Sequence, residues 1–375
     1  MGILKNVCSV ESMRQMEDLF NEENCIRTLA LLSGDNTLDE MPHSDTLNYY
    51  LERLSPECLS ALRTKMVKQL IQNKVGAKAR LMGKYWRIIL DGTGLFYFKE
   101  KHCENCLRET HKDEDGNVTI RYYHKVLEAK LVLGDGFVIS LGTVFIENES
   151  EDVEKQDCEN AAAKRLLARI KKEYPRLDIC VLGDGLYGVE PLMELCKGYG
   201  WKYIFNLKEG TQKNITADYK DLDEDMKHTC QNLCAENGTE RFYNSVDEIT
   251  GKNEVFNVFE YVYKKMEKGK EKEVCFRWVT NIRVTERNLE ELILAGWKRW
   301  KIENEGFNNQ KNGIYKIEHL NSRDTNAMKN HYLLTQVADI LMQLYLASSK
   351  LVKEIGQSIK NTSSRLQESF HRHTR

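Results

Sequence analysis

Proline is scarce, four residues in the whole chain, and no low-complexity tract interrupts it. A continuous ordered body is expected rather than domains strung on Pro-rich linkers. No apolar run approaches the ~20 residues of a membrane-spanning helix, so no membrane partner is expected. Neither sign of charge is in excess: 30% of the chain is charged, yet the formal net charge is −2. Overall charge does not announce a polyanion binder, and any basic surface must be local. The eleven cysteines are an odd number, scattered through helix- and strand-like runs with no signal peptide ahead of them. A reduced, cytoplasmic protein is expected. Met1-Gly2 opens the sequence, but Asn6 stands where myristoylation wants Ser or Thr.

What is present is a substantial chain of 375 residues with two similar apolar runs. Trp86-Arg87-Ile88-Ile89-Leu90 rises to Asp91 and then meets Gly92 and Gly94. Asp178-Ile179-Cys180-Val181-Leu182-Gly183 delivers Asp184, followed by Gly185. A short apolar run bounded by Gly reads as a buried strand, and in a mostly parallel sheet its C-terminal end opens into a crevice. Both aspartates are therefore expected at strand ends. A third acid, Glu303, lies far downstream in Trp297-Lys298-Arg299-Trp300-Lys301-Ile302-Glu303, which reads as helix broken at Gly296. Glu305 is the rival for that third role.

Around these runs, residues 1 to about 80 read as helical, with Ser55-Pro56-Glu57 a strong helix start. Arg63, Lys65, Lys68, Lys74, Lys78, Arg80, Lys84 and Arg87 follow with no intervening acid, either a solvated face or a phosphate-contacting surface. After the Asp91 strand, Arg121 to Leu133 and Phe137 to Glu147 complete an antiparallel meander. A helix from about Asp157 to Tyr174, the Asp184 strand, a helix over Glu190 to Gly198 and a strand over Trp201 to Leu207 come next. The signal weakens from Gly210 to Glu273, read as a partly β insertion with a charged turn at Lys264 to Lys272. Val274 to Thr280 returns as strand, and Asn288 with Glu291 marks the next helix start. A last amphipathic helix spans about Met328 to Ile355, with an apolar stripe of Leu333, Val337, Leu341, Leu344 and Tyr345. The polar, basic tail from Lys360 to Arg375 is expected to fray.

Strand, strand, strand, helix, strand, helix, strand is the order of a ribonuclease-H-like fold. The expected class is α/β: a mixed sheet with flanking helices, a partly β insertion and a helical N-terminal region. The divisions are a helical region at 1–84 offering DNA contacts, a catalytic core at 85–209 and 274–325, the insertion at 210–273, and a C-terminal helix and basic tail at 326–375. Such a fold would bring Asp91 and Asp184 to one end of the sheet. Carboxylates suit a hard cation, Mg²⁺ or Mn²⁺, and two such ions activate an attacking oxygen and stabilise a leaving one. Asp91 is expected to bridge both ions, with Asp184 and Glu303 each completing one shell.

This set resembles the DDE transposases of bacterial insertion sequences, in particular the cut-and-paste group with a β-rich insertion before the catalytic Glu. The resemblance covers roughly Tyr85 to Lys311. That group carries Arg four residues before the Glu, Tyr seven before it and Lys seven after it. Arg299 and Glu303 match; Gly296 replaces the Tyr, and Gln310 stands where Lys is expected, with Lys311 one further on. The resemblance implies hydrolysis at the element's 3′ ends, then attack of the freed 3′-hydroxyls on target DNA. It also implies double-stranded DNA as partner and a homodimer on DNA, with Arg299, Lys311 and Trp300 as DNA contacts. Two other outcomes stay open: a catalytically inactive, domesticated DNA-binding remnant, and a ribonuclease-H-like nuclease without strand transfer.

Separately, Cys103 and Cys106 have the spacing of a zinc knuckle. His102 and His111 are the partners in reach, with His228, Cys230 and Cys234 as further candidates. No second pair has a standard spacing, so free buried thiols are preferred over structural Zn²⁺.

Overall fold

The computed structural model describes residues 1–113, 116–148, 155–208, 210, 212–234, 238–245, 256–267, 270–349, 356 and 358–372, without the side chains of 300–308. One mixed sheet runs through the described residues. Its central part comprises β1 (Trp86–Phe98), β3 (Val118–Gly134), β4 (Phe137–Ile146), β5 (Ile179–Gly183) and β6 (Lys202–Asn206). β3 is antiparallel to β1 and to β4, whereas β5 is parallel to β1 and β6 parallel to β5. Across the sheet this gives β4-β3-β1-β5-β6, an antiparallel meander continued by two parallel strands, the arrangement of a ribonuclease-H-like fold. The short strand β2 (Leu107–Lys112), not foreseen in the sequence, forms a hairpin with the start of β3.

The β-rich segment is an extension of this sheet. β7 (His228–Gln231), β8 (Gly238–Asn244), β9 (Asn257–Glu267) and β10 (Lys270–Thr280) add in the order β10-β9-β8-β7, with β10 antiparallel to β6. Of the Lys264 to Lys272 stretch, expected as a turn, residues 264–267 and 270–272 are strand in the β9–β10 hairpin, and 268–269 lie outside the described residues. Its charges are compatible with exposed strand because they pair across it, Lys264 with Glu271 at 3.2 Å and Lys272 with Glu267 at 3.0 Å.

Helices cover both faces because β1 and β5, buried on two sides, alternate their apolar residues between two cores. Ile88 and Leu90 of β1 and Val181 of β5 pack beneath α6 (Glu159–Glu173) and α7 (Glu190–Gly198), against Leu166, Leu167, Ile170 and Leu192. Ile89, Cys180 and Leu182 point the other way, against Leu289, Leu292 and Ile293 of α9 (Glu286–Asn312). Each such buried aliphatic side chain contributes about 1.5–3 kcal/mol, enough to fix α9 across the parallel strands. α9 starts one turn earlier than expected, with Thr285 and Asn288 forming a capping box, and it does not break at Gly296. A Cβ there would strike the Trp278 indole, so glycine lets the helix lie close against β10.

The N- and C-terminal helices pack on each other. α1 (Gly2–Val7), α4 (Ser44–Arg53) and α5 (Pro56–Gln72) surround α10 (Thr325–Ser348). Asn330 Nδ2 donates to the Leu51 and Leu54 carbonyls at 2.8 and 2.7 Å, and Thr335 Oγ1 donates to Asn6 Oδ1 at 3.0 Å. In the expected α10 stripe Leu333 and Val337 are buried, but Leu341 and Tyr345 are exposed; residues 350–355 lie outside the described residues. α2 (Met13–Phe20) and α3 (Glu23–Ser33) form a small core with the tail. Up to residue 372 that tail is ordered, with helix α11 (Ile359–His371) capped by Ser358 and anchored by Phe370 edge-on to Phe20; residues 373–375 lie outside the described residues. Finally, α8 (Lys213–Asp221) precedes the sheet extension.

Candidate active site

β5 ends where expected, one residue before Asp184, but β1 does not stop at Asp91. It continues through Gly92 and Gly94 to Phe98, so Asp91 lies in mid-strand beside the point where its parallel neighbour ends. Gly92 is required by a close approach rather than a turn: a Cβ would collide with the Glu159 carboxylate at the start of α6. The parallel register runs Ile88 to Val181 and Ile89 to Leu182. Carried two residues further, it sets Asp91 beside Asp184, on strands about 4.8 Å apart. By alternation Asp91 shares a face with Ile89, and Asp184 with Leu182, the face crossed by α9.

The surroundings of the two acids differ. Asp184 Oδ1 accepts from the Leu186 N–H at 2.8 Å, and Oδ2 pairs with Lys208 Nζ at 2.9 Å. The side chains of Lys208 and Asp184 are 56% and 30% exposed, so this cation is exchangeable rather than a buried, permanent partner. Gly185 leaves room for the Lys208 stem to pass. On the other side, Asp91 faces Glu128 of β3. Glu128 is fully buried, accepts from Ser140 Oγ at 2.6 Å and from Thr143 Oγ1, and lies 3.9 Å from Lys130 Nζ. Its lone pairs are committed to this internal network, which also takes Arg63 onto Ser140 and Thr143. Beneath the acids, Tyr187 donates to Glu159 Oε2 at 2.5 Å, and Glu159 also pairs with Lys125. Burial, then the carboxylates of Glu159, Asp91 and Asp184, push the Tyr187 phenol up, so it stays protonated.

α9 runs through Glu303, but the side chains of Trp300, Glu303, Glu305 and Phe307 fall outside the described residues. Position 303 follows buried Arg299 by four residues and precedes buried Gln310 by seven, so the helical repeat sets the three on one stripe. Arg299 is only 4% exposed, and a phosphate contact by it requires the groups above it to move. Gln310 is a core residue, donating to Gln336 Oε1 at 3.1 Å and Asp339 Oδ2 at 3.3 Å. Lys311 is half-buried and pairs with Glu318 at 2.9 Å. In the basic stretch, Arg63 is internal, Arg80 lies over the Trp86 ring and Arg87 donates to the Ala79 carbonyl at 3.0 Å; Lys65, Lys68, Lys74, Lys78 and Lys84 are exposed.

Residues 145–338, just over half of the chain, match the Transposase DDE domain family. The chain belongs to that family. The matched segment of this transposase DDE domain contains Asp184 and Glu303 and begins beyond Asp91. No curated protein matches the chain. Among solved structures, a cryo-EM structure of the piggyBac transposase synaptic complex with hairpin DNA is similar at 9% identity and a TM-score of 0.41, covering 96% of this chain and 80% of that one. No described helix of the DDE-domain protein is long and apolar enough to cross a membrane.

The metal-ligand expectation at the cysteines needs one correction. Cys103, Cys106 and His102 do come together, but their fourth neighbour is His124 of β3 and not His111. His111 is exposed on β2, 2.8 Å from Glu109, because the hairpin register carries it away from the loop. His228 stacks on Phe242 in the sheet extension, and neither it nor Cys230 or Cys234 joins the group. Sequence reasoning also missed Glu128 and Lys208. Glu128 carried a signal, a lone acid within the apolar run Val126 to Val132 apart from Lys130.

Proposed function

We propose that this transposase-family chain cuts the ends of a DNA element and joins the freed 3′-hydroxyls to target DNA. The reading is supported by the parallel register of β1 and β5, which runs up to Ile89 and Leu182, two residues short of Asp91 and Asp184, on the face crossed by α9. Two adjacent carboxylates, one half-exposed and countered by an exchangeable lysine, fit a hard divalent cation better than a structural ion pair. Asp91, Asp184 and Glu303 would hold Mg²⁺ or Mn²⁺, which supplies activation of the attacking oxygen and charge stabilisation at the leaving one.

The chain's own residues do the rest. The parallel strands hold the two aspartates rigidly, and Glu159 with Tyr187 supports β1 from below at Gly92. Lys208 neutralises Asp184, and its exposed pairing would yield to a divalent cation held by the carboxylates. Arg299, Lys311 and Trp300 lie on the same helix as Glu303, which suits contacts to the DNA end; Lys311 would exchange Glu318 for phosphate. Pairing two ends calls for two copies of the chain on DNA.

The test incubates the full chain with duplexes carrying the inverted repeats that flank its gene, with and without Mg²⁺. Metal-dependent nicking followed by joining is expected. Asp91→Asn should fold normally and lose nicking by more than about 100-fold. DNA binding without metal-dependent nicking would instead identify an inactive remnant, and nicking without joining a nuclease.

A further inference from the structure

We propose that His102, Cys103, Cys106 and His124 form a structural zinc site, independent of the carboxylate site. The four ligand atoms all lie within 4.8 Å of one another. Cys103 Sγ and Cys106 Sγ are 3.4 Å apart, and each lies 3.5 Å from His124 Nε2. Tetrahedral zinc, with bonds of about 2.3 Å to sulfur and 2.0–2.1 Å to nitrogen, spaces S and N ligands by about 3.5 Å and two sulfurs by about 3.8 Å. The S–N pairs already have that spacing, and the sulfurs must part by only a few tenths of an ångström.

The local chain is built as a knuckle. His102, Cys103 and Cys106 sit in the loop between β1 and β2, while His124 reaches in from β3, opposite Phe96 of β1. The Cys103 N–H points at Cys106 Sγ at 3.4 Å, a contact that suits a thiolate. Asn105 and Asn148 hold the loop: Asn105 Nδ2 donates to the Asn148 carbonyl at 2.9 Å, and Asn148 Nδ2 donates to the Cys106 carbonyl at 3.0 Å. His102 stacks on Phe98, ring centroids 4.6 Å apart, and its Nδ1 is buried with no hydrogen-bond partner. A buried ring nitrogen with nothing to bond is costly, and a metal would occupy it.

The donor set names the metal and the role. Two thiols and two imidazoles are soft to borderline ligands that select zinc over Mg²⁺, whereas Asp91 and Asp184 offer only hard oxygens. Four protein donors close a tetrahedral shell, leaving no position for substrate, so the site is structural. It would pin the far end of β1, the strand that carries Asp91, to β3 beside the start of α10, where Thr325 and His124 line one small cavity.

The experiment measures metal in full-length protein purified under reducing conditions without added metal. One zinc per chain is expected by mass spectrometry, retained through a Mg²⁺ wash and removed by a strong zinc chelator with a fall in thermal midpoint. Replacement with Co²⁺ should give the intense visible bands of tetrahedral sulfur–nitrogen coordination. Cys103→Ser and Cys106→Ser should lose the metal, His111→Ala should keep it, and His124→Cys should keep it with a stronger sulfur-to-cobalt band. The proposal is overturned if wild-type protein neither contains nor takes up zinc, if intact mass shows a Cys103–Cys106 disulfide instead, or if His111→Ala loses the metal. Should the serine variants not fold, the wild-type stoichiometry and the His124→Cys spectrum still decide.

Discussion

Replacing Gly92 with alanine probes how Asp91 is held. The new Cβ would occupy the space of the Glu159 carboxylate, so that side chain must leave. Tyr187, 1% exposed, then loses the acceptor it holds at 2.5 Å, a cost of about 1–3 kcal/mol for an orphaned buried hydroxyl. Lys125 also loses its partner, about another 1 kcal/mol for a part-buried pair. Against this, Gly→Ala in extended backbone gains about 0.4–1 kcal/mol through the unfolded chain. The net expectation is destabilisation by about 1–3 kcal/mol. Glu159→Ala alone should cost a similar amount, because it removes the same bonds, yet it also clears the space. In that background Gly92→Ala should be neutral or slightly stabilising, a favourable coupling of about 2 kcal/mol. Urea denaturation of the four proteins of this cycle measures it. Additive costs, with Gly92→Ala equally harmful in both backgrounds, would refute the contact.

Three further outcomes follow from the same geometry. Lys208→Ala removes the cation competing for Asp184; an exposed pair worth about 0.2–1 kcal/mol translates into Mg²⁺ binding about 1.5–5-fold tighter, read by calorimetric titration, and weaker binding would contradict the exchange. Gly296→Ala drives a methyl into the rigid Trp278 indole and should cost about 1–3 kcal/mol in denaturant unfolding; an unchanged midpoint would show that α9 does not lie so close to β10. Burial, with Lys5 and His319 adding to it, lowers the His331 imidazole to about 4, so the folded ring stays neutral while the unfolded one titrates near 6.5. Its contribution is complete above pH 6.5 and is lost towards pH 4 at about 1.4 kcal/mol per pH unit, and His331→Gln should flatten that part of the stability curve; parallel curves for the two proteins would reject it.

Local pattern alone was enough for much of the chain. Ser55-Pro56 announced α5, the helix over Glu190 to Gly198 emerged with its observed bounds, and the two apolar runs were buried strands in both readings. These features rest on caps and on side-chain periodicity, which neighbours in sequence determine. That the Asp91 and Asp184 runs would be neighbours was anticipated from strand order, and the parallel register of Ile88 and Ile89 with Val181 and Leu182 fixes how the two strands align. Other features depended on residues far away along the chain. Gly92 resembles a turn until Glu159 is seen beneath it, and Gly296 resembles a break until Trp278 fills its place. His111 is the nearer partner for Cys103 by spacing, and only the β2–β3 register turns it outward while His124 faces the cysteines. The charged β9–β10 ribbon is compatible with strand because Lys264 and Lys272 find Glu271 and Glu267 across the hairpin, information that no single segment contains. Sequence determined most of the helices, the two buried strands and which segments carried acids; tertiary packing decided the rest of the strands and which side chains share a face, because register and close approach are set by non-local contacts.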